Sequence, residues 1–272
     1  MLAVVAFLKP TRIKLVFLLE WVLFILITIA KGELETNHQI LVAGYPLAFF
    51  YLVACALAAL SQHVRQLAQS WRLLVFAIGL TILDQVVKMI VAAFVPYQIS
   101  IPIVNNWLYL AHERNFHGSW IASAFNVQFV SVFALMQWGL VIPVLLCSIL
   151  CHRYYITTNR KSLWADIAFL GVFAGYASWV CDMSFRGHII DFINLPGLVT
   201  ADLKDILVTV GVAAFVVETL DNPKLSWRWT GWQEEKDDLV RLVTSLFSFS
   251  IQELRKARQA MMSGFGKAAM PE

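Results

Sequence analysis

Asp182 and Asp205 are the side chains in this 272-residue sequence with the clearest chemical potential. Asp182 closes one long apolar run and Asp205 opens the next. Consecutive runs that cross an apolar layer in opposite directions bring both carboxylates to the same depth. Two carboxylates held close cannot both ionise cheaply, so they share a proton. Such a pair activates water: the ionised member takes a proton from water, and the protonated member polarises or protonates a scissile amide. Asp191 and Asp202 lie in the same stretch and compete for this role. Asp84 and Lys88 sit at i and i+4, on one helical face, where they neutralise each other. They read either as a structural ion pair between helices or as participants in chemistry.

These groups matter because of what surrounds them. Only 14% of residues are charged and 59% are hydrophobic, with a mean hydropathy of +0.69, whereas soluble domains carry about 25% charged residues. An ordinary soluble enzyme is excluded, as are a disordered chain and a disulfide scaffold. Apolar runs near 13–30, 39–60, 72–95, 124–150, 164–182 and 203–220 predict six transmembrane helices, each crossing needing about 20 residues. The first run follows Lys9, Arg12 and Lys14 but is interrupted by Glu20 and lacks a small-x-small cleavage site, so it reads as a retained helix. An ionisable group within such a span is expensive unless paired or wet, which makes it a functional candidate.

All but five of the 21 Lys and Arg residues fall on one side of this topology. The exceptions are Lys31, Lys88, Arg114, Arg186 and Lys204. By the positive-inside rule both termini are cytoplasmic and the Asp182/Asp205 level is external. Residues 96–123 are rich in Ile, Val, Trp and Tyr and predict short strands at the membrane surface. The tail from 222 carries Trp227, Trp229 and Trp232, then mixes polar residues with Leu239, Leu242, Val243, Leu246 and Leu254. It predicts an amphipathic helix on the inner leaflet, with a docking site for a cytosolic partner as its alternative.

Other motifs carry less. His112, Glu113 and His117 invite a zinc protease reading, but a spacing of five turns the rings about 500° apart rather than onto one helical face. Cys181 beside Asp182, with His188 nearby, lacks the electropositive, partly exposed setting of a reactive thiol. Cys55, Cys147, Cys151 and Cys181 all read as packing residues in apolar segments. No phosphate-binding glycine loop is present.

The charged residues resemble those of lipoprotein signal peptidase, also called signal peptidase II. Asp84, Gln85 and Lys88 are similar to the family's DQxxK, Ile101 and Pro102 to its IP segment, and Arg114 and Asn115 to its RNxG stretch, with Gly118 one position late. After Asp182, the run Gly187, His188, Ile189, Ile190, Asp191, Phe192 is similar to DRxxxGxVVDF. Asp205, with the residues up to Gly211, resembles the FNxAD segment that opens the last family helix. The sequence differs from the family pattern at Trp179 and Asp202, where the family has Asn, at Met183, where it has Arg, and at Lys204, where it has Ala.

Taken with the six apolar runs, two of them beyond the family's usual four helices, the resemblance implies an all-α polytopic membrane protein of six transmembrane helices with a small extracytoplasmic β-like cradle at the outer membrane surface. It divides the chain into two additional helices (1–71), a four-helix core with periplasmic loops (72–221) and a cytoplasmic amphipathic tail (222–272). It further implies an aspartic endopeptidase of the bacterial inner membrane that cuts prolipoproteins before a diacylglyceryl-modified Cys, the substrate entering from the lipid. Asp182 and Asp205 are then catalytic and Arg114 and Asn115 bind substrate. Asp84, Gln85, Lys88, Gly187 and Asp191 support the site, and no metal or cofactor is required. A non-catalytic scaffold or chaperone for lipidated or signal-peptide helices is the alternative. A transporter relay through Asp84 and Lys88 lacks the internal repeat expected of that class.

Overall fold

The structure is a computed structural model, and it describes residues 7–34, 36–116, 130–222 and 232–268. His117, Gly118, Trp227 and Trp229, named above, lie outside the described residues. The helices in chain order are α1 (Arg12–Val16), α2 (Leu19–Ala30), α3 (Asn37–His63), α4 (Ser70–Phe94), α5 (Val130–Thr158), α6 (Leu163–Phe185), α7 (Leu203–Asp221) and α8 (Trp232–Ala268). The strands β1 (Ser100–Val104) and β2 (Leu108–Asn115) fall between α4 and α5, and β3 (Ile189–Leu195) and β4 (Val199–Ala201) between α6 and α7.

Among the described residues, α3, α4 and α6 are long and apolar enough to cross a membrane. The expectation of six spans is therefore met only in part. The run expected over 13–30 is broken: Leu18 N–H takes the carbonyl of Leu15 at 3.0 Å, tightening the chain there. The remaining α2 has 12 residues, about 18 Å at ~1.5 Å per residue and short of a ~30 Å hydrocarbon layer. α7 has 19 residues but carries Lys204 and Asp205 in its first turn and Glu218 and Asp221 in its last.

α6 and α7 form the tightest helix pair, and the reason is glycine. A Cβ on Gly171 would lie 2.3 Å from the carbonyl oxygen of Leu207, and one on Gly175 would lie 2.3 Å from Val208 Cγ2. Gly211 meets Gly171 from the other side. Small residues let helix backbones approach where lipid offers no hydrophobic drive to associate. α4 packs on α6 through Leu73, Ala77, Phe169, Phe173 and Ala174, and Thr81 Oγ1 donates to the Ala174 carbonyl at 3.3 Å. α1 and α3 cover the other flank, where Phe17 and Ala54 join Leu163, Trp164, Ala214 and Val217.

The strands form one antiparallel sheet in the order β1-β2-β3-β4. Strands between 96 and 123 were expected; β3 and β4 add two more from the second loop. Val91 and Val95 at the end of α4 pack against Ile190 and Phe192 of β3, which seats one end of the sheet on the helix ends. That junction holds the conspicuous charges.

At the opposite end of the bundle a second polar group ties helices together. Asp166 of α6 receives Leu67 N–H at 2.7 Å and pairs with His152 Nε2 at 3.0 Å. Buried Glu218 accepts from Tyr155 and Ser162. α8 lies against α5 through Arg153 with Glu253 and through the Tyr154 and Phe249 rings, whose centroids are 5.5 Å apart.

Candidate active site

Helical periodicity sets the positions of the polar residues. On α4, Asp84 and Lys88 point the same way, and both are fully buried. On α6, Ser178, Asp182 and Arg186 recur every four residues and so share a face. α6 ends just beyond Asp182, whose carbonyl accepts the N–H groups of Arg186 at 2.9 Å and Gly187 at 3.1 Å. Gly187 has φ +71, a left-handed turn that glycine adopts without steric cost and that redirects the chain into β3. α7 begins with a reciprocal cap: Asp202 Oδ1 accepts Asp205 N–H at 3.1 Å, and Asp205 Oδ2 accepts Asp202 N–H at 3.2 Å. This is the capping-box geometry with aspartate at both positions.

The side chains converge on two lysines. Lys88 Nζ lies 2.6 Å from Asp84 Oδ2, 2.5 Å from Asp182 Oδ2 and 2.6 Å from Asp202 Oδ2, with all four side chains buried. Lys204 Nζ lies 3.1 Å from Asp202 Oδ1 and 2.9 Å from Asp205 Oδ1. Asp202 belongs to both groups, so Asp182 and Asp205 are joined through the sequence Lys88, Asp202, Lys204. The other oxygen of Asp182 receives Arg186 Nη1 at 2.6 Å and Gln85 Nε2 at 3.1 Å. Gln85 in turn accepts from Arg186 at 2.6 Å and donates to Ser178 Oγ at 3.0 Å, while Ser178 Oγ donates to Asp84.

Asp191 enters from the sheet. Its Oδ2 accepts Asn115 Nδ2 at 2.9 Å, a contact made possible because Asn115 pairs with Ile189 and Glu113 with Asp191 in the β2–β3 register. Its Oδ1 is buried without a hydrogen-bond partner. Burial pushes the Asp191 carboxyl up to about 8; Lys204 opposes this, and the charges of Asp202 and Asp205 reinforce it. Burial also disfavours ionised Asp202, but Lys204 and Lys88 outweigh it and hold that carboxyl below its ordinary range. His188, at the rim, is lowered chiefly by burial.

The carboxylate oxygens form two triplets, Asp84/Asp182/Asp202 and Asp191/Asp202/Asp205, each within 4.8 Å. That spacing would suit a divalent cation, yet in each triplet a lysine ammonium already reaches two or three of the oxygens. The donor set is one in which lysine supplies the positive charge.

Of the residues singled out in the sequence, Asp84, Gln85, Lys88, Asn115, Asp182, Asp191 and Asp205 meet at this junction, with Gly187 in the turn beside it. Arg114 stands at the rim with its guanidinium over the Tyr97 ring, 4.5 Å from the centroid. His112 is buried, its Nδ1 on the Val95 carbonyl at 2.8 Å. Two participants were not recognised as site residues, Ser178 and Arg186, while Asp202 and Lys204, noted in the sequence as a competing carboxylate and as departures from the family pattern, link the two catalytic candidates. Ser178 and Arg186 stand four residues before and after Asp182, a spacing that would have found them.

Fold and site together define a membrane protein with a carboxylate- and lysine-rich centre where a small sheet meets the ends of apolar helices. The sequence profile of signal peptidase (SPase) II matches residues 76–221. The chain is 23% identical over 143 residues to a lipoprotein signal peptidase of Fusobacterium nucleatum subsp. nucleatum, covering 51% of this chain and 80% of that protein. It is 25% identical over 151 residues to a lipoprotein signal peptidase of Staphylococcus haemolyticus, covering 54% and 89% respectively. Two bacterial membrane enzymes solved by the in meso method align with TM-scores of 0.46 and 0.47 at 21% and 20% identity, over 55% and 58% of this chain and 88% and 98% of theirs. The chain belongs to the signal peptidase II family.

Proposed function

We propose that this protein is a membrane aspartic endopeptidase that removes signal peptides from diacylglyceryl-modified prolipoproteins, with Asp182 and Asp205 as the catalytic pair. The supporting observation is the contrast in exposure within one linked network. Asp84, Asp182, Asp191 and Asp202 are fully buried, whereas the Asp205 side chain is 28% exposed. Asp205 is thus the carboxylate that water and a scissile amide can reach, at the level where the sheet leaves the helices.

In the forward step Asp205 accepts a proton from the attacking water as its oxygen bonds to the carbonyl carbon. The proton that Asp205 has taken from water passes to the leaving amine as the C–N bond breaks, which balances the step, and the ion-paired Asp182 stabilises the polar intermediate through the linked network. Asn115 and Arg114, on the strand facing this level, contact the peptide. The bilayer is the bacterial inner membrane, with the site on its periplasmic face, both termini in the cytoplasm, and substrate entering from lipid.

A specific observation also favours a second reading, a non-catalytic scaffold that binds lipidated or signal-peptide helices. Both oxygens of Asp182 are occupied by Lys88, Arg186 and Gln85, so its proton-transfer capacity is engaged in structure. Cleavage of a lipid-modified precursor by the purified protein separates the two. The endopeptidase reading expects cutting that falls by about 10²-fold or more in Asp182→Asn and in Asp205→Asn, the usual scale for losing a proton-transfer group. Undiminished cutting by either variant would overturn the pair, and binding without cutting by the unaltered protein would establish the scaffold.

A further inference from the structure

In an antiparallel meander, successive turns alternate between the two ends of the sheet. The β1–β2 turn and the β3–β4 turn therefore lie together at one end. The other end carries Asn115 and Asp191 and is fixed to the helices through Val91, Val95, Ile190 and Phe192. β3 runs seven residues, about 23 Å at ~3.3 Å per residue, so the turn end stands well away from that anchor.

The N-terminal end of α3 meets this distant end. Trp107, in the β1–β2 turn, sits between two α3 side chains: its ring centroid is 5.2 Å from that of His38 and 5.0 Å, edge-on, from that of Tyr45. Gln39 Nε2 donates to the carbonyl of Gly197, in the β3–β4 turn, at 3.0 Å. The Gln39 amide is oriented for this because its Oε1 accepts Thr36 N–H at 3.0 Å in the capping box of α3. Gly197 completes the fit. It has φ +71, and a Cβ there would lie 3.0 Å from Gln39 Nε2 and 3.4 Å from Gln39 Cγ, so a larger residue would displace the glutamine as well as strain the turn. The other half of α3 is itself held, with Ala54 in the cluster that includes Trp164 and Val217.

We propose that α3 is a brace for the sheet, gripping both turns of its far end, and that Gln39 and Trp107 are positioning residues that hold the β2 strand for substrate capture. α3 lies before the 76–221 segment matched by the family profile, so the brace ties a helix outside that segment to the sheet inside it. The bracing itself is independent of any activity; its effect on capture rests on the endopeptidase reading.

Amide hydrogen exchange on the full-length protein in detergent tests the brace directly. In Gln39→Ala/Trp107→Ala, exchange over 100–109 and 193–201 is expected to speed up roughly tenfold or more, while α6 and the Asp191 end of the sheet stay protected. Gln39→Ala alone is the milder variant and is expected to loosen 193–201 only. Unchanged exchange in the turns, or faster exchange spread equally through α6 and α7, would overturn the brace. In precursor cleavage the double variant is expected to raise KM several-fold with kcat within about twofold. Local loosening with KM unchanged would overturn the positioning role. A parent protein that does not cleave would refute the endopeptidase reading, and the exchange measurement would still decide the brace.

Discussion

Replacing Asp191 by asparagine should flatten the dependence of stability on pH. Its carboxyl, buried and with one oxygen unpartnered, titrates at about 8 in the folded protein against ~3.9 in an unfolded chain. Between these values the folded state holds one proton more than the unfolded state, so stability falls as pH rises, by about 1.4 kcal/mol per pH unit. The contribution is complete below pH ~4 and is lost progressively up to about 8, the loss reaching roughly 4 kcal/mol by pH 7. For a chain of this size that slope is about 3–5 °C of thermal midpoint per pH unit. Asparagine has the shape of the protonated acid, can still accept from Asn115, and does not titrate. Thermal unfolding in detergent, followed by tryptophan fluorescence at pH 5, 6, 7 and 8, reads the effect of Asp191 together with its charged neighbours Lys204, Asp202 and Asp205, because groups away from this cluster titrate alike in both proteins. The midpoint of Asp191→Asn should exceed that of the parent by a margin that widens from pH 5 to pH 8. Parallel curves would refute the reasoning, showing that Asp191 is ionised in the folded state.

Lys88→Met removes the ammonium shared by Asp84, Asp182 and Asp202 and should cost about 3–5 kcal/mol, the scale for unpairing a buried charge. Asp84→Asn in the same background should recover part of that loss, as read from unfolding midpoints. Gly171→Ala drives a methyl group to 2.3 Å from a backbone oxygen of α7 and should cost about 1–3 kcal/mol or more through helix separation. Gly79→Ala, where a Cβ meets nothing within 4 Å, should be neutral or stabilising by up to about 1 kcal/mol; equal midpoints for the two variants would discount the close α6–α7 approach.

Hydropathy made α3, α4 and α6 legible in the sequence, and the β-branched content of 96–123 made β1 and β2 legible. β3 was less visible as a strand because its buried half, Ile189 to Phe192, interrupts the apolar alternation with Asp191. That aspartate faces the carboxylate centre and Asn115 rather than water. Lys88 was legible as the i+4 partner of Asp84, but not as the partner of Asp182 and Asp202, which arrive from α6 and from the cap of α7. Only the packing of α4, α6 and α7 brings those three carboxylates to one ammonium. The contact of Trp107 with α3 had no local signal at all, because neither helical period nor strand alternation relates His38 to a turn nearly seventy residues away.

The departures from the family pattern make sense as a set once charges are followed in space. Met183 removes a cation next to Asp182 in sequence, yet Arg186, one helical turn further on, returns a guanidinium to the same carboxylate at 2.6 Å. Asp202 adds a buried negative charge and Lys204, two residues later, adds a positive one that contacts it at 3.1 Å. Each change alone would leave Lys88 to balance more buried negative charge by itself, at a cost of up to several kcal/mol. Together they leave the net charge near Asp182 and Asp205 unaltered. The geometry is what changes: two carboxylates that could share a proton directly are instead joined through Lys88, Asp202 and Lys204, and Asp205 keeps its opening to water. Charge balance at the centre is therefore a property of the assembled site, and a comparison made position by position registers only the losses.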